Sequence, residues 1–381
     1  SRQRFWGTPI PFIHCEACGI LPVPESDLPV ELPLDVAFTE GLSGNPLATN
    51  EGFVNTICPS CGAAGKRETD TMDTFYDSSW YFLRFCDAMN DKSAFDKEIS
   101  DYWMNGGVDL YIGGIEHAVM HLLYARFFTK ALRDAGLTSI SEPFSRLVCQ
   151  GMVNAPTPFC AECNVEYHVD LQETDCDTCG GTLTSRSAKM SKSLGNTVSP
   201  ETMIKKYGAD TVRLFILFGA NPEAGMDWSD SAIEANYRQM NAIYAVPAQA
   251  ASLSGNSSPI DDWLLSRARA CASGWAASMM DVSLRDGVMI SHFDMLSDWQ
   301  WYIRRGGGNQ ATAQSFISTW AAMLYPATPH LAEEWWHSLG KERMLAQTTI
   351  EFESPTKSDI ETIAKEEYLR EVINTARNVR Q

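Results

Sequence analysis

Lys189-Met190-Ser191-Lys192-Ser193 sets two ammonium groups three positions apart between small hydroxyl side chains, and Gly195-Asn196 add a flexible turn. Such a loop can close on a triphosphate and follow charge as it builds in a transition state. Lysine heads are compact point charges, and they tolerate the changing geometry of a phosphorus centre better than a rigid guanidinium fork. Taken alone, the five residues describe a solvated basic turn equally well. The surrounding sequence decides between the two.

Cysteine spacing is the second chemical signal. Of eleven cysteines, eight fall in four Cys-x-x-Cys pairs: Cys15/Cys18, Cys58/Cys61, Cys160/Cys163 and Cys176/Cys179. Each pair can put two thiolates on one metal from a tight knuckle, and two pairs complete a tetrahedron. The spacing therefore predicts one structural zinc site at Cys160, Cys163, Cys176 and Cys179, whose knuckles enclose twelve residues. A second is expected at Cys15, Cys18, Cys58 and Cys61, across a longer loop. A disulfide framework is the competing reading, and it belongs to small secreted domains. The unpaired Cys86, Cys149 and Cys271 are expected as buried small hydrophobes.

The elements that position these groups change texture along the chain. Residues 1–69 are cut into short extended pieces by Pro9, Pro11, Pro22, Pro24, Pro29 and Pro33, and read as a zinc-ribbon-like insertion. Residues 70–153 read as α/β. There the apolar run 108–112 ends in Gly113-Gly114, and helical periodicity follows over 116–132. Strand, glycine turn and helix bring a nucleotide against a helix N-terminus. Glu116 can then accept hydrogen bonds from ribose hydroxyls, or serve only as a helix-start carboxylate favoured by the macrodipole. His117 and His121 lie one turn apart, with no third metal ligand evident. Residues 147–153 read as another inner strand. A cysteine-knuckle insertion over 154–187 precedes the lysine loop and connecting helices of 188–228.

From 229 to 381 the pattern is helical, with helices predicted over 229–252, 259–280, 285–304, 312–325, 328–339 and 357–379. Trp263, Trp275, Trp299, Trp320 and Trp335 are expected to fill the core of a helix bundle. Hydrophobic content of 44% is that of an ordinary globular protein, and no apolar run is long enough to span a bilayer. A net charge of −18 argues against a non-specific polyanion binder, though not against local basic contacts. A start at Ser1 without a signal-like segment suggests a piece of a longer, cytoplasmic chain.

These segments now add up. Ser1-Arg-Gln-Arg-Phe-Trp-Gly-Thr-Pro-Ile-Pro11, Thr69-Asp-Thr-Met-Asp-Thr-Phe-Tyr-Asp-Ser-Ser-Trp-Tyr81, Ile112-Gly-Gly-Ile-Glu-His-Ala118 with His121-Leu-Leu-Tyr-Ala-Arg-Phe127, and the lysine loop follow the order of class I aminoacyl-tRNA synthetases. The chain resembles the leucyl-tRNA synthetase branch most, closely over 1–236 and more loosely to Gln381. Isoleucyl and valyl enzymes share the opening motif and the lysine signature, whereas the Glu-His-Ala and Asp-Ser-Ser-Trp-Tyr stretches resemble the leucyl branch specifically. The resemblance implies the α/β second half of a Rossmann-type catalytic domain with zinc-ribbon-like insertions, followed by an all-α anticodon-binding-type helix bundle.

It also implies a leucine–tRNA ligase reaction, in which leucine attacks the α-phosphate of ATP and the acyl group then moves to tRNA. Lys189 and Lys192 would be catalytic. ATP would meet Gly113, Gly114, Glu116, His117, Gln150, Gly151, Met152, Met190, Ser191 and Lys192, while Phe75, Ser78, Tyr81 and His121 would wall the leucine side chain. The implied partners are ATP with Mg2+, L-leucine and tRNA(Leu), with two structural Zn2+, no membrane, and a monomeric full-length enzyme. Arg304 and Arg305, in the patch 301–305, are the best candidate tRNA contacts, ahead of Arg238, Arg377 and Arg380. The family's His-x-Gly-His signature, the residue for the leucine ammonium, an editing insertion and the small C-terminal domain have no counterpart here. A partial chain, inactive alone, is therefore expected, with any editing domain before Ser1. The alternatives are a sister synthetase for another aliphatic amino acid, and a non-catalytic zinc-ribbon RNA-binding paralogue.

Overall fold

Two hairpins open the chain. β1 (Phe12–Cys15) and β2 (Gly19–Pro22) meet at a turn closed by Gly19, and β3 (Asn55–Ile57) and β4 (Ala64–Arg67) meet at a turn closed by Gly62. Both glycines hold left-handed backbone, φ +79° and +74°, which a side chain would strain. The strands form one antiparallel sheet in the order β2-β1-β4-β3, with Ile13 opposite Arg67 and Thr56 opposite Gly65. Each hairpin turn is a Cys-x-x-Cys knuckle, so the sheet brings the two pairs to one end. α1 (Glu51–Val54), capped by Asn50, precedes the second hairpin.

In this computed structural model the described residues are 1–36 and 45–378, and they form two units, Ser1–Cys149 and Gln150–Gln381. The first continues with α2 (Thr74–Ser78), α3 (Tyr81–Cys86), α4 (Lys97–Trp103), β5 (Tyr111–Gly114), α5 (Met120–Asp134) and β6 (Leu147–Gln150), which pairs with β5. Asp73 and Asp96 cap α2 and α4 through backbone N–H groups of Phe75 and Ile99. Phe82, Leu83, Phe95, Met104, Ala125 and Ile140 are the buried core beneath them. The helix expected from Glu116 starts later, because Ile115–His117 forms a tighter 3-10 turn.

The expected strand over 147–153 is two strands. β6 stops at Gln150, and β7 (Val153–Cys160) joins a different sheet with β8 (Val165–Glu166), β9 (Thr184–Lys189) and β10 (Met226–Asp227). Gly151 makes the break: its N–H donates to Pro222 O at 2.8 Å, and a Cβ there would overlap the Ala224 backbone. β7 and β9 run antiparallel from Asn154↔Lys189 to Phe159↔Thr184, and β10 lies parallel to β7.

Helices fill the rest: α6 (Pro200–Tyr207), α7 (Ala209–Gly219), α8 (Asp230–Tyr244), α9 (Val246–Ala251), α10 (Pro259–Met280), α11 (Leu284–Met289), α12 (Met295–Arg304), α13 (Gln310–Leu324), α14 (Pro329–Ser338) and α15 (Lys357–Asn378). The single helix expected over 229–252 divides into α8 and α9 at Ala245, because Pro247 lacks the N–H needed to continue it. The one expected over 285–304 contains a π turn, Ile290–Asp294, at which the Ser291 hydroxyl donates to Gly287 O. Trp263, Trp299, Trp320 and Trp335 are buried, with Trp320 and Trp335 edge to face at 4.9 Å. Trp275 departs from expectation, lying half-buried at the rim against Phe352. Cys86 and Cys149 are also only half-buried, whereas Cys271 is buried.

The π turn sets up a pH test. His292 is fully enclosed, its Nδ1 2.9 Å from Ser291 Oγ and its Nε2 3.0 Å from Thr328 Oγ1. Burial pulls its pKa from 6.5 down to about 3. Below pH 6.5 the unfolded chain takes up a proton that the folded chain refuses. Stability is therefore full above that pH and falls by about 1.4 kcal/mol per unit as pH drops further. Urea unfolding at pH 7 and pH 5.5 should show this loss, and His292→Gln should flatten it.

Candidate functional site

The lysine loop begins where β9 ends. Its turn is pinned rather than free, which differs from the flexible Gly195-Asn196 expected. Asn196 is 5% exposed, and its Oδ1 accepts the Ser191 N–H at 2.8 Å. Its amide nitrogen faces Ala155 O, Ala188 O and Lys189 O at 3.4–3.5 Å, at the base of the β7–β9 ribbon. Ser191 Oγ accepts the Leu194 N–H, and Gly195 N–H donates to Lys192 O. Lys192 stands exposed at the crest of the loop whose base the fold fixes, and Lys189, the last residue of β9, is exposed as well. Met190 N–H donates to Val153 O, and Met190 and Ser191 are half-buried.

The eight paired cysteines gather as the spacing predicted. Cys15, Cys18, Cys58 and Cys61 form one group and Cys160, Cys163, Cys176 and Cys179 another, with all sulfurs of a group within 4.8 Å of one another. Sulfur–sulfur separations are 3.7 Å for Cys15–Cys61, 3.5 Å for Cys160–Cys179 and 3.8 Å for Cys163–Cys176. A tetrahedron with metal–sulfur bonds of about 2.3 Å has edges of about 3.8 Å, whereas a disulfide needs about 2.05 Å. The donor set and its spacing fit a four-sulfur metal site. The Tyr167 hydroxyl donates to Asp177 Oδ1 at 2.6 Å and lies 3.1 Å from Cys176 Sγ. Beside that hydroxyl, backbone N–H groups of Cys179 and Thr178 help lower the Cys176 pKa to about 6, and the Cys61 N–H lowers that of Cys58 to about 7. These two thiols ionise first, while the Cys61 sulfur pushes Cys18 up to about 12 and Cys163 and Cys179 also shift up.

In the first unit, Tyr81 and His121 come together through a residue that sequence reasoning missed. The Tyr111 hydroxyl lies 2.7 Å from Tyr81 Oη and 2.7 Å from His121 Nε2. His121 is 7% exposed, and burial, reinforced by nearby His117, pushes its pKa down, so the ring is neutral at pH 7. Phe75 stacks on Tyr124 at 6.2 Å, while Ser78 Oγ is turned back to Thr74 O. Tyr111 also stacks on Phe144 at 3.8 Å, a contact that Tyr111→Phe keeps. That variant therefore isolates the hydroxyl. It should destabilise the protein by about 1–3 kcal/mol in urea unfolding, by leaving His121 and Tyr81 without their shared partner.

The glycine turn separates two roles. A Cβ on Gly114 would meet the Glu116 carboxylate, which folds back over it, whereas the space beside Gly113 is open. Glu116 and His117 are exposed, and His117 packs edge-on to His121 at 6.4 Å. Of the expected adenine-side residues, Gly151 is held against the 222–225 backbone, and Met152 O accepts the Met226 N–H. Gln150 ends β6.

On the helical part, Arg304 is exposed over the Trp301 ring at 5.8 Å. Arg305 is engaged: its Nε donates to Glu366 Oε1 at 2.7 Å, and the same oxygen accepts from Trp301 Nε1. Arg238 is exposed, Arg377 falls on α15, and Arg380 lies outside the described residues.

Residues 178–229, which include the lysine loop, match the family described as tRNA synthetases class I (I, L, M and V). Residues 261–381 match the anticodon-binding domain of tRNA ligase. Pinned lysine loop, α/β region and helical domain together define a class I tRNA synthetase architecture. A leucine–tRNA ligase of Crocosphaera subtropica is 43% identical over 376 residues, covering 96% of this chain and 43% of the relative. One of Symbiobacterium thermophilum is 54% identical over 250 residues, covering 66% of this chain and 25% of the relative. The crystal structure of the Agrobacterium radiobacter K84 agnB2 LeuRS–tRNA–LeuAMS ternary complex superposes with a TM-score of 0.76 at 29% identity, over 93% of this chain and 42% of that one. The chain belongs to the leucine–tRNA ligase family of class I tRNA synthetases. It spans about two fifths of the length of the Crocosphaera relative. Among the described residues, no helix is long and apolar enough to cross a membrane.

Proposed function

We propose that these residues serve the ATP-dependent attachment of leucine to tRNA(Leu). The leucine carboxylate oxygen bonds to the α-phosphorus of ATP and the bond to pyrophosphate breaks; a ribose hydroxyl of the terminal adenosine then takes the acyl group, the anhydride C–O bond breaks and AMP leaves. This first step is mostly positioning and charge stabilisation. The observation that carries the reading is the exposed Lys192 at the crest of a loop whose base is fixed by Asn196. Lys192, and secondarily Lys189, neutralise phosphate oxygens as pyrophosphate departs, beside Met190 and Ser191 and with Mg2+ carried by the nucleotide. Gly113, Gly114, Glu116 and His117 receive the adenosine, with Gln150, Gly151 and Met152 at the adenine. Phe75, Ser78, Tyr81 and His121 wall the leucine side chain, and Tyr111 holds the last two.

Zinc is the ion that four cysteine sulfurs at this spacing suit, and at each cluster it would cross-link two turns without entering the chemistry. The functional pieces are 1–69, 70–153, 154–187, 188–228 and 229–381. In the last, Arg304 is the leading contact for tRNA phosphates and Arg305 the weaker one, since Glu366 already holds it. A cytoplasmic, monomeric enzyme is the setting.

Leucine-dependent pyrophosphate exchange tests the reading, in a polypeptide of the relatives' full length carrying these residues. Isoleucine, valine and methionine should each support exchange at least about tenfold less well, since a misplaced methylene is worth about 1–3 kcal/mol. Exchange driven equally by another of these amino acids would sink the leucine assignment.

A further inference from the structure

The cysteine insertion reaches back to the lysine loop. After β8 the chain lies along β7: Tyr167 N–H donates to Pro158 O at 2.9 Å, and Thr157 Oγ1 donates to Tyr167 O at 2.7 Å. Two residues on, Val169 N–H donates to Leu194 O at 2.9 Å, inside the lysine loop. Between these anchors, the Cε1–Nε2 side of the His168 imidazole lies against Gly195. A Cβ on Gly195 would fall into that ring, and its φ of +67° is independently hostile to a side chain. The ring is fixed on its other side by the Asp170 N–H, which donates to His168 Nδ1 at 3.2 Å.

The contact falls where it can matter. Gly195 N–H donates to Lys192 O at 3.3 Å, so the peptide under the imidazole is the one that closes the turn carrying Lys192. Asn196 holds the base of this turn from one side, and His168 and Val169 hold its closing edge from another. Without the second hold, the turn keeps its base but gains freedom at its crest.

We propose that His168 is a positioning residue for Lys192, seating Gly195 so that the cysteine insertion sets where the ammonium group stands. This rests on the role of Lys192 in adenylation proposed above. Tyr167, whose hydroxyl meets Cys176 Sγ, adjoins His168, so the cysteine cluster and the lysine loop are linked through consecutive residues.

The test compares His168→Ala and His168→Phe with the unsubstituted sequence, in a polypeptide of the relatives' full length. Amide hydrogen exchange at Gly195 should quicken about tenfold in the alanine variant, while Ala155 and Ala188 in the β7–β9 ladder stay protected. In leucine-dependent pyrophosphate exchange, kcat should fall about 10- to 100-fold with the leucine KM unchanged, because a shift near 1 Å in a positioned group costs about that much. The phenylalanine variant keeps a flat ring and should recover most of both. Gly195 protection and kcat both unchanged in His168→Ala would overturn the proposal. Should the alanine variant loosen the ladder as well, the phenylalanine variant decides: recovery of both readouts supports positioning, and a protected loop with the kcat of the alanine variant refutes it. If the unsubstituted enzyme shows no leucine-dependent exchange, the functional reading fails, while exchange at Gly195 still reports on the seat.

Discussion

Lys192→Ala should slow leucine-dependent pyrophosphate exchange by about 100- to 1000-fold, equivalent to about 2.7–4 kcal/mol of lost transition-state stabilisation. The size follows from where the charge is needed. An ammonium group acts at full strength only while pyrophosphate is leaving and its oxygens gain charge, so its removal falls on kcat rather than on substrate capture. The leucine KM should stay within about twofold, since no bound leucine atom is assigned to Lys192. Lys192→Arg should recover only part of the rate, because the planar fork suits a fixed carboxylate or phosphate better than one changing shape. A loss shared equally between kcat and the leucine KM would place Lys192 in substrate binding.

The second large effect concerns the metal. Elemental analysis should find two zinc ions per chain, one for each cluster of four cysteines. Cys176→Ser should bring the count to one and unfold the tip of the 154–187 insertion, seen as lost amide protection at the far end of the β7–β9 ribbon. Structural zinc contributes about 10–16 kcal/mol of apparent binding free energy to small cysteine sites, far more than a few surface hydrogen bonds can supply. Beyond the β7–β9 ladder, regular pairing at the tip of this insertion is slight: β8 is two residues long. A full complement of zinc in Cys176→Ser, or unchanged protection after chelation, would show that the sulfurs are not what holds it.

What was legible in the sequence was local. Cys-x-x-Cys knuckles announce themselves because two thiolates on one turn leave little choice of partner, and the lysine loop is a contiguous run. The bundle tryptophans followed from periodicity, except Trp275, which the end of α10 places at the rim. The missed features depend on partners distant in sequence. Tyr111 sits in an apolar run that reads as plain strand. Only the packing of β5 beside α3 and α5 shows that its hydroxyl joins Tyr81 to His121, although a phenol hydroxyl within an apolar run is the available signal. Asn196 read as part of a flexible turn because its bonding partners, at Ala155 and Ala188, lie across a ribbon interrupted by the whole cysteine insertion. Gly151 reads as a nucleotide contact, and its close approach to the backbone of Ala224 is a further constraint that only the fold reveals. Arg305 reads as a candidate phosphate contact, and its ion pair with Glu366, sixty-one residues on, is visible only in the fold.

The central claim is that the exposed lysine folds over bound ATP. Lysine acylation followed by mass spectrometry tests it most directly, in a polypeptide of the relatives' full length, with and without ATP and leucine together. Lys192 should lose at least about fivefold in reactivity when both substrates are present, while Lys205, Lys206 and Lys341 react unchanged. A Lys192 that stays as reactive in the loaded enzyme as in the free one contradicts the account.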